Sequence, residues 1–382
     1  MMVSLFNLVL RTVRAIDWPL LLIVVFLCGV GLMVMQSAVG DTDWRYANQS
    51  RYIAFAFVVM WVVAVIPPAW LQRSAPLIYL IAIALLVGVA LFGETSKGAT
   101  RWLDLGVVRL QPSEIMKIAL PLLLAWYFQQ REGRLGLADF LVAIVLMALP
   151  FLLIVRQPDL GTALLVGTAG LFVIYFAGLS FKLLVPLTVV LVAGIGAVLV
   201  YEDVLCAPGT DWFILHDYQK GRVCTLLDPT KDPLGRGFHT IQSTIAVGSG
   251  GLYGQGFMSG TQAQLDFIPE RTTDFIFAVF AEEFGLFGSI SLLLLFLLLV
   301  IRGLVIATRA QTLFGRLVAG SLTMMLFTYV FVNVGMVIGI LPVVGVPLPF
   351  FSYGGTALVT LAIALGILMS ISRHRVLTRT AI

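Results

Sequence analysis

The sequence predicts an all-α polytopic membrane protein, with ten transmembrane helices and one long outer loop between helices seven and eight. Three observations carry that prediction. Of the 382 residues, 60% come from the apolar set and only 12% are charged, where an average soluble chain carries about 25% charged residues. Mean hydropathy is +1.02. Apolar stretches recur at the length a bilayer demands, roughly 20 residues for a core of about 30 Å. Together these exclude a water-soluble enzyme, a secreted disulfide scaffold and a disordered chain.

Ten such stretches follow one another, at Trp18–Ala38, Tyr52–Ile66, Leu77–Phe92, Ser113–Gln130, Phe140–Val155, Leu160–Phe176, Leu183–Tyr201, Thr273–Val300, Leu317–Ile340 and Ser352–Ser370. The first has the length of a signal peptide, but nine more follow it, so it reads as an uncleaved span. Sidedness follows from lysine and arginine placement. With the N-terminus inside, twelve of the 24 cationic residues fall on the inner face, among them Arg11, Arg14, Arg131, Arg302, Arg309 and Arg373. Short outer loops hold six: Arg45, Arg51, Lys97, Arg101, Arg109 and Arg156. The bias and the even number of spans both favour two inner termini. The only large soluble segment, about residues 202–272, then lies outside. It is irregular and Gly-rich, and no internal repeat is evident, so residues 1–382 read as a single membrane domain with helices over about 18–201 and 273–370. Net charge is a mild +4 with no Lys/Arg-rich run, which argues against a nucleic-acid partner.

Polar residues gather on the outer side. The second outer loop runs from Lys97 through Arg101, Trp102, Asp104 and Arg109 to Pro112, Glu114 and Lys117. Pro112 suits a helix first turn, which puts Glu114 and Lys117 on one face at the start of span four. Two readings stand: an internal ion pair between helices, or a cationic pocket in which Lys117, Arg101 and Arg109 receive an anion. An ionisable residue inside a span is a functional candidate by default. Asp159, in the tight turn Arg156-Gln-Pro-Asp-Leu-Gly-Thr162, either caps span six or partners Lys117 or a substrate hydroxyl.

The run from Leu265 to Gly285 is the densest signal, with Asp274 set among Phe267, Phe275 and Phe277. Thr273–Val300 would measure about 42 Å as a helix, longer than the hydrocarbon core, so Asp274 is expected at headgroup height on a helix emerging from the membrane. A carboxylate in partly apolar surroundings can serve as a general base. Glu282, eight residues on, would lie about 80° round the helix and face the same cavity two turns deeper. The competing reading makes Thr273 or Asp274 a helix cap and pairs Glu282 with a buried arginine. Phe238, Ile241 and Ile245 share one helical face and predict a short amphipathic helix on the interface. Gly339–Gly355 is apolar but interrupted by Pro342, Pro347, Pro349 and glycines; irregular backbone at membrane depth must be buried or line a cavity.

No P-loop, H-E-x-x-H or G-x-S-x-G sequence is present. His216, His239 and His374 have no ligand spacing, and Asp41-Thr-Asp43 reads as a chance metal-like match. An external site has no access to ATP, so any synthesis there needs a substrate already activated, such as a lipid-linked phosphosugar.

These residues resemble the SEDS family (shape, elongation, division, sporulation). The resemblance rests on Lys97-Gly98 with Arg101-Trp-Leu-Asp-Leu-Gly106, Gln111-Pro-Ser-Glu114, Gln157-Pro-Asp-Leu-Gly-Thr162, Gly248-Ser-Gly-Gly-Leu252, Pro269-Glu-Arg-Thr-Thr-Asp-Phe-Ile-Phe-Ala278 and Ser352-Tyr-Gly-Gly355. Arg101–Asp104 and Gly339–Val346 are most similar to the elongation branch. The resemblance implies a bacterial cytoplasmic-membrane glycosyltransferase that polymerises lipid II into peptidoglycan on the periplasmic face. Implied partners are a class B penicillin-binding protein, which supplies the transpeptidase, and other elongation-complex membrane proteins. Asp274 matches the family's essential aspartate and would take the proton from the acceptor 4-hydroxyl. Lys117, Arg101 and Arg109 would neutralise the departing pyrophosphate, with Lys97, Trp102, Glu114, Asp159 and Glu282 as further substrate-binding residues. A divalent cation, magnesium or manganese, could share that task, although no ligand set in the sequence proves one. Rival functions are a lipid II flippase or other transporter and a non-catalytic scaffold for the penicillin-binding protein. The chain is longer than the family pattern after span seven, and it places Cys206 and Cys224 outside. There a disulfide and two free thiols are both open.

Overall fold

The computed structural model describes residues 16–40, 44–96, 99–104, 109–179, 200–207, 210, 217–228, 237–265, 267–268 and 270–374, with isolated positions between 185 and 196. The long helices, in chain order, are α1 (Trp18–Val39), α2 (Trp44–Val65), α3 (Pro68–Phe92), α4 (Pro112–Gln130), α5 (Leu137–Arg156) and α6 (Leu160–Phe176). The outer segment holds α7 (Glu202–Leu205), α8 (Asp217–Leu227), α9 (Phe238–Ser249) and α10 (Thr261–Gln264). The chain then returns as α11 (Ile276–Thr308), α12 (Leu313–Val337) and α13 (Gly355–Arg373). Seven of these, α1, α2, α3, α5, α11, α12 and α13, are long and apolar enough to cross a membrane, and Leu160–Phe176 is a shorter apolar helix. The remaining long helix, α4, carries the polar Glu114 and Lys117 and is buried along most of its length. The expected span seven, 183–201, lies mostly outside the described residues.

Span six coincides with its prediction. Spans two and three start earlier than expected, at Trp44 and Pro68. At Trp44 the helix carries polar residues beyond its apolar part, where Ser50 Oγ donates to Tyr46 O at 3.0 Å and Arg51 to Asn48 Oδ1 at 3.3 Å. At Pro68 the ring fixes the first helical φ without forfeiting a needed N–H. The loop after α3 folds into three short antiparallel strands, β1 (Glu94–Ser96), β2 (Ala99–Asp104) and β3 (Arg109–Leu110), in the order β1-β2-β3. Cys206 and Cys224 are joined in a disulfide between α7 and α8.

Two joints set the frame. At one end, Asp17 caps α1 by accepting from Leu20 N at 3.3 Å. Its two oxygens also take Arg302 of α11, Nε at 2.9 Å and Nη2 at 2.6 Å, and one of them accepts from Ser372 Oγ of α13. A bidentate guanidinium pair of this kind is among the strongest polar contacts available.

The second joint overturns the expectation of one continuous helix from Thr273 to Val300. Within α11, Gly285 has φ 65° and ψ −162°, and the helix breaks there. The Gly-rich run after α9 enters the break. Leu286 N and Phe287 N donate to Gly251 O (2.9 Å) and Leu252 O (3.1 Å), while Gln255 N and Gly256 N donate to Glu282 O and Glu283 O, both at 3.0 Å. Groups that a broken helix would leave orphaned are thereby satisfied from outside it. Gly254 (φ 84°) makes this approach feasible, since a Cβ there would stand 2.1 Å from Glu283 O.

Helix α9 forms as expected but turns a different face inward. Thr240, Ser243 and Ala246 are its buried residues, whereas Ile245 is exposed. Ser243 Oγ donates to Val337 O at 3.0 Å, at the end of α12. Small side chains permit that close docking, while Phe238 and Ile241 are half-buried beside it.

Candidate active site at the outer end of the bundle

Asp274 does not sit on a helix. It lies in the turn 270–275, and α11 starts at Ile276 with Phe275 as its N-cap and no side-chain cap. Neither Thr273 nor Asp274 therefore caps the helix. Thr273 Oγ1 instead donates to Glu270 Oε2 at 2.9 Å. The turn is fastened through its main chain. Tyr353 N donates to Thr272 O at 2.8 Å, Ser352 Oγ to Thr273 O at 2.5 Å, and Asn333 Nδ2 to Asp274 O at 2.8 Å. The same amide donates to Val346 O, also at 2.8 Å. Arg45 reaches Thr272 Oγ1 at 3.4 Å.

The half-buried Asp274 carboxylate faces the irregular segment that the prolines predicted. Between the end of α12 and Gly355 the chain is non-helical, and Oδ2 of Asp274 lies 3.3 Å from where a Cβ at Gly345 would be. A positive φ of 73° holds Gly345 in that approach. Beneath the turn, Phe275 is buried and the His239 ring stacks on it at 5.7 Å and 17°. Burial pushes the His239 imidazole below its ordinary pKa, with the Glu270 charge opposing.

The expected cationic pocket resolves into two paired sites. Lys117 is 1% exposed and donates to Glu114 Oε1 at 2.6 Å and to Tyr329 Oη at 2.5 Å. The ion pair is internal but lies within α4, and the Tyr329 hydroxyl of α12 makes the tie between helices; Lys117 does not line an open pocket with Arg101. Arg101 instead pairs with Asp159, Nε to Oδ2 at 3.6 Å, and donates to Pro158 O at 3.2 Å. Asp159 caps α6, accepting from Thr162 N at 3.3 Å, and takes Gln111 Nε2 at 3.3 Å. Trp102 lies in β2 opposite Glu94, and Arg109 in β3 opposite Asp104. Lys97 lies outside the described residues.

Glu282 departs furthest from expectation. It is fully buried and pairs with no arginine in any described contact. Its oxygens accept from Gln262 N (2.8 Å), Ala263 N (3.2 Å) and Thr261 Oγ1 (3.3 Å), capping α10. The physical reason is the break: with α11 interrupted at Gly285, Glu282 meets the N-terminus of a loop helix, where a carboxylate is favoured. Neighbouring Glu283, also buried, accepts from Met258 N at 3.1 Å and from Ser37 Oγ.

Tyr329 and Asn333 are site residues that sequence reasoning passed over. They are four apart on α12 and so share a face about 6 Å apart along the axis. One holds Lys117 and the other holds the Asp274 turn. A tyrosine hydroxyl and a carboxamide inside an apolar span each demand a partner, and that demand was the available signal. Among the described residues no three His, Cys, Asp or Glu side chains come together to hold a metal ion.

Comparison with known proteins agrees with this architecture. The family model described as cell cycle protein, which spans FtsW, RodA and SpoVE, matches residues 16–377. The peptidoglycan glycosyltransferase MrdB of Escherichia coli K12 is 52% identical over 360 residues, 94% of each chain. A chain from a peptidoglycan synthase complex that coordinates polymerization and crosslinking superposes with a TM-score of 0.77 at 33% identity, covering 94% of this chain and 98% of that one. The crystal structure of the rod shape determining protein RodA from Thermus thermophilus gives 0.69 at 27% identity, covering 94% and 97%. With nearly its whole length matched, in sequence and in fold, the chain belongs to the SEDS family of FtsW, RodA and SpoVE proteins.

Proposed function

We infer that the chain is a peptidoglycan glycosyltransferase of the elongation type, polymerising lipid II into glycan strands on the periplasmic face. The similarity to MrdB supports the reaction class. The observation that carries the assignment of the base is the half-buried Asp274 carboxylate, held against Gly345 by a turn whose main chain is bonded at three successive carbonyls. Asp274 takes the proton of the acceptor 4-hydroxyl as that oxygen attacks C1 of the donor. The C1–oxygen bond to the lipid pyrophosphate breaks, and the pyrophosphate departs with the bonding electrons.

Charge on the leaving group calls for a cation that an anion can reach. Lys117 is enclosed and neutralised by Glu114, whereas the Arg101 side chain is 30% exposed. Arg101, with Arg109 on the adjacent strand, is the better partner for the pyrophosphate, and Lys117 supports the site from within. A divalent cation bound on this reading would be held largely by the pyrophosphate itself, because the described residues form no cage for it.

Ten spans with both termini cytoplasmic agree with the cationic bias, and with Arg302 lying at the opposite end of α11 from Asp274. A class B penicillin-binding protein is the proposed partner, by analogy with the synthase complex. The test uses purified full-length protein and labelled lipid II, with and without that partner. Polymer from the wild type and none from Asp274→Asn is the expected result. Undiminished polymer from Asp274→Asn would refute the base, and transbilayer movement of lipid II without polymer would favour a transporter.

A further inference from the structure

The reading of Asp274 as the base raises the question of what fixes its position, because proton abstraction tolerates little displacement: about 1 Å of misplacement costs on the order of 100-fold in rate. No described element holds Asp274 in a regular ladder, since the turn 270–275 precedes the helix. Its own carbonyl, and that of Val346 on the facing wall, are taken by one group, the Asn333 carboxamide. Asn333 is fully buried on the rigid α12, four residues beyond the tyrosine that holds Lys117.

We propose that Asn333 is the positioning residue of the catalytic base, setting the distance between Asp274 and the Gly345–Val346 wall by bonding both main chains at once. The inference rests on the proposed function above. The amide's orientation is chemically determined: both 2.8 Å partners are carbonyl oxygens, so the nitrogen must face them. Its own oxygen is then left buried without a hydrogen bond in the structure. A buried unpaired acceptor is costly, and here the cost secures two bonds that no other side chain of that size supplies. Leucine matches the shape and has no donor. Aspartate, when ionised, would turn negative charge onto two carbonyl oxygens. Glutamine keeps both donors but carries them about one methylene further from α12.

The experiment compares wild type, Asn333→Leu, Asn333→Gln and Asp274→Asn as full-length proteins with the transpeptidase partner, measuring kcat and KM for lipid II. Thermal unfolding reports whether each variant is folded. A residue that only holds the fold would change the folded fraction and leave kcat per folded molecule alone. Positioning predicts the reverse: folded Asn333→Leu loses on the order of 100-fold in kcat with KM within about twofold, a pattern expected of an interaction realised in the transition state. Asn333→Gln, the variant more certain to fold, falls between the two. Wild-type kcat in folded Asn333→Gln or Asn333→Leu, with Asp274→Asn inactive, would overturn the inference and leave the base standing. Activity in Asp274→Asn would overturn the base itself, and with it the meaning of the Asn333 result.

Discussion

Gly254→Ala should expel the outer loop from the break in α11. The added Cβ would stand 2.1 Å from Glu283 O, 2.5 Å from Glu283 C and 2.7 Å from Phe284 C, all main-chain atoms that cannot swing aside. The native φ of 84° is also unfavourable for alanine, by about 1 kcal/mol. Relief requires the loop to leave, which breaks the four cross-bonds to Leu286, Phe287, Glu282 and Glu283. At about 1 kcal/mol net for each bond, expulsion of the loop should forfeit roughly 4 kcal/mol. With tenfold for each 1.4 kcal/mol, amide exchange at Gln255, Gly256, Leu286 and Phe287 should quicken by about 1000-fold. Hydrogen exchange read by mass spectrometry on the protein in nanodiscs measures this directly. Gly248→Ala is the control, because nothing lies within 4 Å of the Cβ it adds. Equal protection in Gly254→Ala and Gly248→Ala would refute the inserted-loop account of the break.

Lys117→Met should strand Glu114 in the bundle, where one of its oxygens already lacks a hydrogen bond, at a cost of about 3–5 kcal/mol. The double variant Glu114→Gln/Lys117→Met should recover a monodisperse folded species on size exclusion, and a single variant as stable as wild type would contradict the ion-pair reading. His239 binds its proton less tightly in the fold than in the unfolded chain, because burial lowers its pKa. Docking of α9 is therefore complete above about pH 6.5 and weakens as pH falls toward the folded value. His239→Phe keeps a ring against Phe275 and removes the titration, so its thermal midpoint should fall less than that of wild type between about pH 7.5 and 5.5; parallel declines would sink the argument.

The apolar lengths point to the cores of the described long helices, because hydrocarbon thickness sets them, and Leu160–Phe176 matches at both ends. They could not locate Trp44, since a helix may run past the hydrocarbon on polar residues that no hydropathy window counts. The prolines of the segment after α12 announce irregular backbone, and the structure sets Asp274 against it. The break at Gly285 left no mark in hydropathy: apolar residues continue through it, and its cause is a loop more than thirty residues upstream. Glu282 escapes a sequence reading for the same reason, because its partners, two main-chain N–H groups and the Thr261 hydroxyl, lie about twenty residues upstream on α10. Lys117 and Arg101 look like one cationic cluster along the chain and become two ion pairs in space. Their partners, Glu114 and Asp159, were each in view, but pairing is a property of three dimensions.

The carboxylate at Asp17 has a consequence for biogenesis. Leu20 N, which it caps, is three residues away, yet Arg302 and Ser372 follow it by 285 and 355 residues along the chain. While the intervening helices are inserted this acid has yet to meet those two distant groups, and only the arrival of α13 brings it the Ser372 hydroxyl. A nascent chain that stalls before α13 lacks the Ser372 bond to the carboxylate that opens α1, a chemical flag by which an unfinished protein differs from a finished one.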